Sequence, residues 1–355
     1  MGEDPRQQRR IRVAQDPSTE NPAFAAAWAC RLQSVSEPRH TAEVAYRRAE
    51  EADLPRAFLV FRAALNAYLL AAGQDGIPED DQQSPTYRHL LQHDGERFWV
   101  AEAVVEELTG GGGGSLGVTG RQIVAWGSGL VRGDWWFLSS LFVLPEAQGI
   151  GVGGRLFDLA ATGAPPGATR ATVTDSLQPV SNTLYARRGL LPREVLVEIG
   201  GQPRPDLRPP RLGRLEVEPL TAASVPELRE IDAAASGVDR SVDHEYYLTV
   251  SGRRGWLLRR AGRPAAYVML RPDGWIGPAA SMRAADIYTA TAYALAALSA
   301  AGAVKVLSGV TGRCEGAQRA LWEAGLVFET TPGLLLASRP FGRLDRYLPA
   351  SYGLF

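Results

Sequence analysis

The stretch FVLPEAQGIGVGGRLFDLA, from Phe142 to Ala160, constrains the fold more than any other part of the chain. An apolar, strand-like run ends at Pro145, a cluster of glycines follows, and an amphipathic helical pattern begins after it. Backbone without side chains at a helix N-terminus presents N–H groups and a favourable dipole to an anion. The stretch therefore predicts a strand–turn–helix unit that holds the phosphates of a cofactor.

The glycine spacing fits the dinucleotide fingerprint. Gly149, Gly151 and Gly154 spell G-x-G-x-x-G, and Asp175 follows 21 residues after Gly154, where a ribose-binding carboxylate is expected. Three features disfavour this interpretation: the motif comes late in its domain, PEAQ separates strand from glycine, and a single βαβ unit is present. A P-loop is disfavoured too, because Lys and Ser/Thr do not follow the last glycine.

Length and composition restrict the class of protein. The 355 residues suffice for two domains, and 38 basic against 39 acidic residues argue against a nucleic-acid partner. Cys30 and Cys314 are too few and too far apart for a disulfide framework or a metal cluster. The N-terminus lacks the apolar core of a secretory signal, so we expect a cytoplasmic protein with no membrane partner and no metal.

The chain divides into four segments. Residues 1–38 are polar and proline-broken, and we expect a mobile tail. Residues 39–201 predict an α/β domain in which an antiparallel meander leads into one parallel βαβ crossover, with the glycine run Gly110–Gly114 as a hairpin tip and a short helix from Ser84. Proline-rich residues 202–214 predict a linker, and residues 215–355 a second domain.

The second domain repeats the first. A shift of 136 residues aligns Gly189 with Gly325 and the helix after the glycine turn with YTATAYALAALSA. The repeat predicts two copies of one fold, each with a mixed, mostly antiparallel sheet.

The second interpretation of the glycine turn rests on two motifs that occur together. LFVLPEAQGIGVGGRLF followed by SNTLYARRGLLP resembles the GNAT acyltransferase superfamily over residues 43–200. The matching positions are a V-x-P strand end, a Q-x-x-G-x-G turn, and a later helix with Asn and Tyr-x-x-x-Gly-hydrophobe: Val143, Pro145, Gln148, Gly151, Gly153, Asn182, Tyr185, Gly189 and Leu190. The resemblance implies two tandem GNAT-like domains.

The resemblance also implies a cofactor and its contacts. Acetyl-CoA would lie along a splayed strand, in the glycine turn and beside the later helix, through Leu141, Phe142, Val143, Gln148, Gly149, Ile150, Gly151, Val152, Gly153, Gly154 and Asn182. Tyr185 would act as general acid toward the departing thiolate, and the backbone N–H of Val143 would stabilise the oxyanion. A helix-capping role for Asn182 and a core role for Tyr185 stay open.

The general base is not identified by sequence. Glu102, Asp134, Ser139 and Ser140 lie on strands that could face the cleft, and a structural role is the simpler expectation for each. His89 and His93 have the i, i+4 spacing of a zinc pair but no evident third ligand, so a solvated helix face is expected instead.

The second copy has lost the cofactor residues. Under the same shift Gln148 becomes Ala284, Gly151 and Gly153 become the β-branched Ile287 and Thr289, and Tyr185 becomes Leu321. We therefore expect an N-acetyltransferase, monomeric or homodimeric, that acetylates an amine of a small molecule by direct attack in a ternary complex, with the cofactor in the first copy. The alternatives are a non-catalytic coenzyme A binder and, less favoured, an NAD(P)-dependent oxidoreductase.

Overall fold

The computed structural model describes residues 43–71, 73–77, 85–105 and 120–355. The sequence-predicted mobile tail, the helix start at Ser84 and the glycine run Gly110–Gly114 lie outside these residues. The described chain forms two sheets with helices on their faces.

The first half contains six strands and four helices among the described residues. In chain order these are β1 (Ala45–Arg48), α1 (Leu54–Ala71), α2 (Pro85–Asp94), β2 (Phe98–Val105), β3 (Gly120–Arg132), β4 (Trp135–Val143), α3 (Val152–Ala160), β5 (Thr169–Asp175), α4 (Pro179–Ala186) and β6 (Leu191–Gly201). β1 to β4 form an antiparallel meander, and β4 pairs in parallel with β5. This is the predicted meander with one crossover.

The second half repeats this order. Its elements are β7 (Leu215–Pro219), α5 (Val225–Ala235), α6 (Ser241–Thr249), β8 (Arg254–Arg260), β9 (Arg263–Leu270), β10 (Ile276–Ser281), α7 (Ala284–Ala300), β11 (Val306–Thr311), α8 (Glu315–Glu323), β12 (Val327–Phe328), β13 (Gly333–Ala337) and β14 (Tyr347–Leu348). Together the halves give the mixed α/β fold expected from the sequence.

The two halves exchange their last strands. β13 of the second half pairs with β5 of the first, and β6 of the first half pairs with β11 of the second. β6 and β13 also pair with each other, so the order β5-β13-β6-β11 joins the halves in one continuous sheet. Each half thus completes the other.

Equivalent hydrogen bonds confirm the repeat at the second crossover helix. The Asn182 side-chain amide donates to the carbonyls of Asp175 and Ser176 at 3.2 and 3.3 Å. Gln318, 136 residues later, donates to the carbonyls of Thr311 and Gly312 at 3.0 Å each. The side chains differ by one methylene, and the strand–helix turn that they tie is the same.

Helix α1 covers the face of the first sheet opposite α3 and α4. It buries Leu54, Ala57, Phe58 and Val60, and its Phe61 meets Phe142 of β4 edge to face at 4.8 Å. The segment Glu51–Ala71 has a mean hydropathy of 1.2 and would suit a membrane span by length and composition alone, a test that core helices of soluble proteins also pass. Its packing on the sheet gives it a structural role.

Of the two histidines on α2, His93 is exposed, as the sequence predicts, but the prediction of a solvated position is wrong for His89. His89 is buried, its Nε2 lies 2.8 Å from Asp243 Oδ1, and its ring stacks on Tyr246 at 4.2 Å. Both partners belong to α6 of the second half, so His89 takes part in a contact between the two halves. In the described chain, no group of three or more His, Cys, Asp or Glu side chains is arranged to hold a metal ion.

Candidate functional site

The parallel strands β4 and β5 separate partway along their length. They pair from Trp135 with Thr169 to Leu138 with Thr172, where the Thr172 hydroxyl donates to the Leu138 carbonyl at 2.9 Å. Beyond this point β4 continues to Val143 paired with β3 alone. A wedge therefore opens between the two strands, which we call the first wedge.

A bulge on β4 marks the start of the first wedge. In the ladder with β3, Ser140 pairs with Ser128 and Leu138 with Gly129, which leaves Ser139 as the extra residue. A bulge re-aims the strand and its side chains. Here it coincides with the position where β4 parts from β5.

Hydrogen-bond alternation decides which residues of β4 offer their backbone to the first wedge. Leu144 N–H donates to Val124 O at 2.9 Å, and adjacent residues of an antiparallel ladder turn to opposite sides. Val143 and Leu141 therefore direct N–H and C=O away from β3, into the wedge. The backbone of Phe142 hydrogen-bonds to β3 and does not point into the wedge. Its side chain lies on the α1 face of the sheet.

The glycine turn after β4 is held in shape by its own chain. Gly149 and Gly151 have φ of 82° and 90°, a region that disfavours any side chain, although a Cβ there would meet nothing within 4 Å. Gln148 supports the turn, since its side-chain amide donates to Val143 O at 3.0 Å. The glycines are thus needed for backbone conformation rather than for space.

Free backbone donors line this turn and the first turn of α3. Arg155 N–H donates to Gly151 O at 3.1 Å, the first such bond of the helix. In the described chain, the N–H groups of residues 149–154, which include the predicted Ile150, Val152 and Gly153, donate to no backbone carbonyl. This is the arrangement that binds a pyrophosphate at a helix N-terminus.

Arg188 fixes the first turn of α3, a role that the sequence did not reveal. Its guanidinium donates to Gly154 O at 2.9 Å and to the Asp158 carboxylate at 2.8 and 3.0 Å, and it lies 5.0 Å above the Phe157 ring. A Cβ on Gly154 would come within 3.0 Å of the Arg188 Nη2. The sequence signal that could have indicated this role is the position of Arg188 three residues after Tyr185.

Asn182 does not cap its helix. Its amide nitrogen ties the β5–α4 turn, and its Oδ1 is buried with no hydrogen-bond partner among the described residues. A buried acceptor left without a donor costs about 1–3 kcal/mol unless a ligand or water supplies one. This oxygen therefore fits an amide N–H of a cofactor arm lying in the first wedge.

Tyr185 lies on α4 below the first wedge, packed 6.0 Å from the Phe157 ring and close to Leu138. Burial raises the pKa of its phenol, so the hydroxyl keeps its proton across neutral pH. Core packing and proton donation are both compatible with this position.

The four candidate bases have other contacts or positions. Glu102 forms an ion pair with Arg47 at 2.6 Å, and Asp134 lies in the β3–β4 turn, at the closed end of the first wedge. The Ser139 hydroxyl donates to Gly353 O at 2.7 Å, and Ser140 is buried. The structure gives each a structural environment, as the sequence favoured.

The corresponding wedge of the second half is filled by the chain itself. Trp275, directly before β10, makes one parallel bridge with Leu307 of β11, and β14 then pairs with β10 through Tyr347 and Leu348. Both β14 residues are buried. Residue Ile287, which replaces Gly151, is buried too. The second wedge therefore has no open strand edge for a cofactor.

Comparison with known protein families gives one match, within the first half. Residues 62–190 match the model of the Acetyltransferase (GNAT) family, which confirms the resemblance seen in the sequence. No curated protein sequence matches the chain.

Solved structures share the fold over most of the chain. A putative acetyltransferase from Pyrococcus horikoshii is 14% identical with a TM-score of 0.65, covering 90% of this chain and 98% of its own. A GCN5-related N-acetyltransferase from Sphaerobacter thermophilus is 16% identical with a TM-score of 0.56, covering 84% and 96%. A tandem GNAT protein from the clavulanic acid biosynthesis pathway is 13% identical with a TM-score of 0.50, covering 84% and 99%. At these identities the likeness is one of fold.

Proposed function

We propose, since residues 62–190 form a domain of the acetyltransferase (GNAT) family, that the chain transfers an acetyl group from acetyl-CoA to an amine. The observation that carries the proposal is the first wedge: an open strand edge, a turn of free N–H groups and an unpaired Asn182 oxygen occur together in the first half. The same place in the second half is filled by β14. One cofactor per chain follows.

Bound acetyl-CoA would supply an activated acyl group as a thioester. The N–H groups of residues 149–154 would hold its pyrophosphate, the backbone of Leu141 would pair with a pantetheine amide, and Asn182 Oδ1 would accept from another. The N–H of Val143 would stabilise the oxyanion, and Tyr185 would donate its proton to the leaving sulfur.

An oxidoreductase with a dinucleotide fold lacks support from the sheet. A doubly wound fold needs several neighbouring parallel strands. In the described chain, parallel pairing is confined to β4 with β5 and to the bridge between Trp275 and Leu307. Asp175 does end β5, but its Oδ1 accepts the N–H of Leu177 at 2.7 Å.

Substitution of Gly151 by valine tests the proposal. Its φ of 90° is strained for a β-branched residue, so the turn should change and lose charge-assisted bonds to the pyrophosphate. We expect coenzyme A to bind about 100-fold more weakly, since each such bond contributes about 1.5–3 kcal/mol. The measurement is thiol release from acetyl-CoA over a panel of primary amines, with calorimetric titration of coenzyme A.

Gly167→Val is the matched control. Gly167 also has a positive φ, 73°, a Cβ at this position would meet nothing within 4 Å, and the residue lies in the turn before β5. The variant should lose similar stability and keep its coenzyme A affinity. Unchanged affinity in Gly151→Val would refute the phosphate site, and binding without turnover of any amine would favour a non-catalytic coenzyme A binder.

Replacing Asn182 by alanine should weaken coenzyme A binding about 3- to 10-fold, the worth of one neutral hydrogen bond. Gln318→Ala removes the same two turn-tying bonds from the second half and should leave binding unchanged. Titration of both variants separates cofactor contact from turn stability. Equal affinities in the two variants would show that Asn182 is a structural residue alone.

A further inference from the structure

A polar cluster lies at the open end of the first wedge, on the α1 side of the sheet. Its members bring carboxylates or hydroxyls from five separate segments, and we call them the acceptor cluster: Asp175 of β5, Glu198 of β6, Tyr68 of α1, Thr331 before β13 and Tyr352 after β14. The Thr331 hydroxyl donates to Asp175 Oδ2 at 3.4 Å. Val173, two residues before Asp175, packs into the core on the α1 side, so Asp175 faces that side as well.

Tyr352 connects the start of the first wedge with the acceptor cluster. The next residue, Gly353, accepts the hydrogen bond from Ser139 at the bulge of β4. The Tyr352 hydroxyl faces Glu198, and burial, then the carboxylates of Glu198 and Asp175, raise its pKa. The segment carrying Tyr352 therefore touches the β4 arm of the wedge, while its side chain reaches the carboxylates beyond the β5 arm.

Two phenols face the carboxylates of the acceptor cluster. The hydroxyls of Tyr68 and Tyr352 are shielded from solvent and lie beside Asp175 and Glu198, but their geometry is poor for a hydrogen bond. Tyr68 lies beside Asp175, which, after burial, raises the pKa of its phenol. Polar groups shielded from solvent are usually hydrogen-bonded in native proteins. A ligand that donates several hydrogen bonds would satisfy the oxygens of both phenols and both carboxylates.

The charge of the acceptor cluster is negative and unpaired. No Lys, Arg or His of the described chain forms an ion pair with Asp175 or Glu198. Burial raises the pKa of Glu198, against the opposing effects of Tyr352, Thr330 and Lys305, and Glu329 raises it further. The Thr330 hydroxyl lies 3.4 Å from Glu198 Oε2. A partly buried carboxylate without an ion-pair partner favours a cationic ligand.

We propose that the acceptor cluster binds the acceptor amine as an ammonium ion, between Asp175 and Glu198, and that Glu198 is its proton acceptor. The inference rests on the proposed acetyl transfer and names its substrate class, a primary amine that is cationic at neutral pH. An ammonium group has three donors for carboxylate and phenol oxygens. The second half, which holds no cofactor, supplies Thr331 and Tyr352 and so completes the site.

The proton balance of the step is complete with these residues. The ammonium ion gives one proton to Glu198, and the freed nitrogen lone pair attacks the thioester carbonyl carbon. A C–N bond forms and the C–S bond breaks as the thiolate takes the Tyr185 proton. The second proton lost by the nitrogen restores Tyr185, and Glu198 releases its proton to solvent. The products are the acetamide, the free thiol and one proton.

Glu198→Gln tests the assignment. With phenethylamine, tyramine, spermidine and glucosamine as probes, we expect the wild type to release thiol with at least one of them. The variant should lose about 100-fold or more in kcat, the usual contribution of a general base, and its kcat/KM should lose the acid limb of the wild-type pH profile. Coenzyme A affinity should not change. Tyr352→Phe, which retains Glu198 but loses the hydroxyl beside it, should lose about 3- to 10-fold.

Glu329→Gln is the charge-matched control, since Glu329 is exposed and lies next to Glu198 without belonging to the acceptor cluster. It should retain the wild-type kcat, with the acid limb shifted only toward lower pH, because loss of the Glu329 charge lowers the pKa of Glu198. A Glu198→Gln variant as active as the wild type, or equal losses in both variants, would overturn the assignment. A wild type that binds coenzyme A but acetylates none of the four amines would overturn the cationic-amine class. Failure to bind coenzyme A would instead refute the proposed function itself.

Discussion

Tyr185→Phe is expected to lower kcat by about 100- to 10,000-fold, the range for loss of a general acid. The phenol is buried beside Phe157, and burial raises its pKa, so it is protonated at neutral pH and available to the leaving thiolate. Phenylalanine keeps the ring packing and removes the proton. Steady-state thiol release with the best amine of the panel measures the loss, and coenzyme A affinity should stay the same.

Tyr288→Phe is a suitable control for Tyr185→Phe. It removes the hydroxyl of Tyr288 on α7, which donates to Glu323 at 2.5 Å on the surface of the second half. Its kcat should match the wild type. If Tyr185→Phe also matched the wild type, Tyr185 would be a core residue and the proton would come from elsewhere.

Asp243→Asn is expected to destabilise the protein by about 3–5 kcal/mol, the cost of breaking a buried ion pair. Asp243 of α6 accepts two bonds from Arg132 at 2.7 Å each and one contact from His89 at 2.8 Å, and all three side chains are buried. Arg132 also binds Asp94 at 2.9 Å. The variant leaves the guanidinium short of one charge partner, and thermal or denaturant unfolding measures the effect.

The same carboxylate gives the protein a dependence on pH. Burial alone would raise the pKa of Asp243, but the Arg132 guanidinium and the bonds from Arg132 and His89 outweigh it and lower the pKa. A lowered folded-state pKa contributes stability above about pH 4, the unfolded value, and that stability is lost as the pH falls further. Asp243→Asn should therefore show a shallower loss of stability in acid than the wild type.

Asp239→Asn controls for removal of a charge near α6. Its ion pair with Arg229, at 2.9 Å, is largely exposed, and such pairs contribute about 0–1 kcal/mol. Equal destabilisation by the two variants would mean that the buried contact between the halves is not a determinant of stability.

The sequence predicted the repeat and the cofactor turn because both depend on local chemistry. Glycine is required wherever φ is positive, as at Gly151, and Gly189 and Gly325 end equivalent helices with φ of 80° and 89°. The bonds of Asn182 and Gln318 are local as well. Such features leave a pattern within a few residues, so the fold class and the position of the turn were predictable.

Contacts between the halves were not predictable. The strand exchange satisfies β6 and β13 with partners from the other half, and an apolar strand pattern does not say which edge it pairs with. β14 has two residues, too few to give a period. Glu198 and Tyr352 lie 154 residues apart in sequence and meet because of that exchange. The acceptor side of the site therefore required the structure.

Calorimetric titration of coenzyme A into the full chain tests the central claim most directly, namely that the first wedge alone holds the cofactor. We predict one binding site per chain, lost in Gly151→Val and retained in Gly167→Val. Two sites per chain, or a single site that survives Gly151→Val, would contradict this claim.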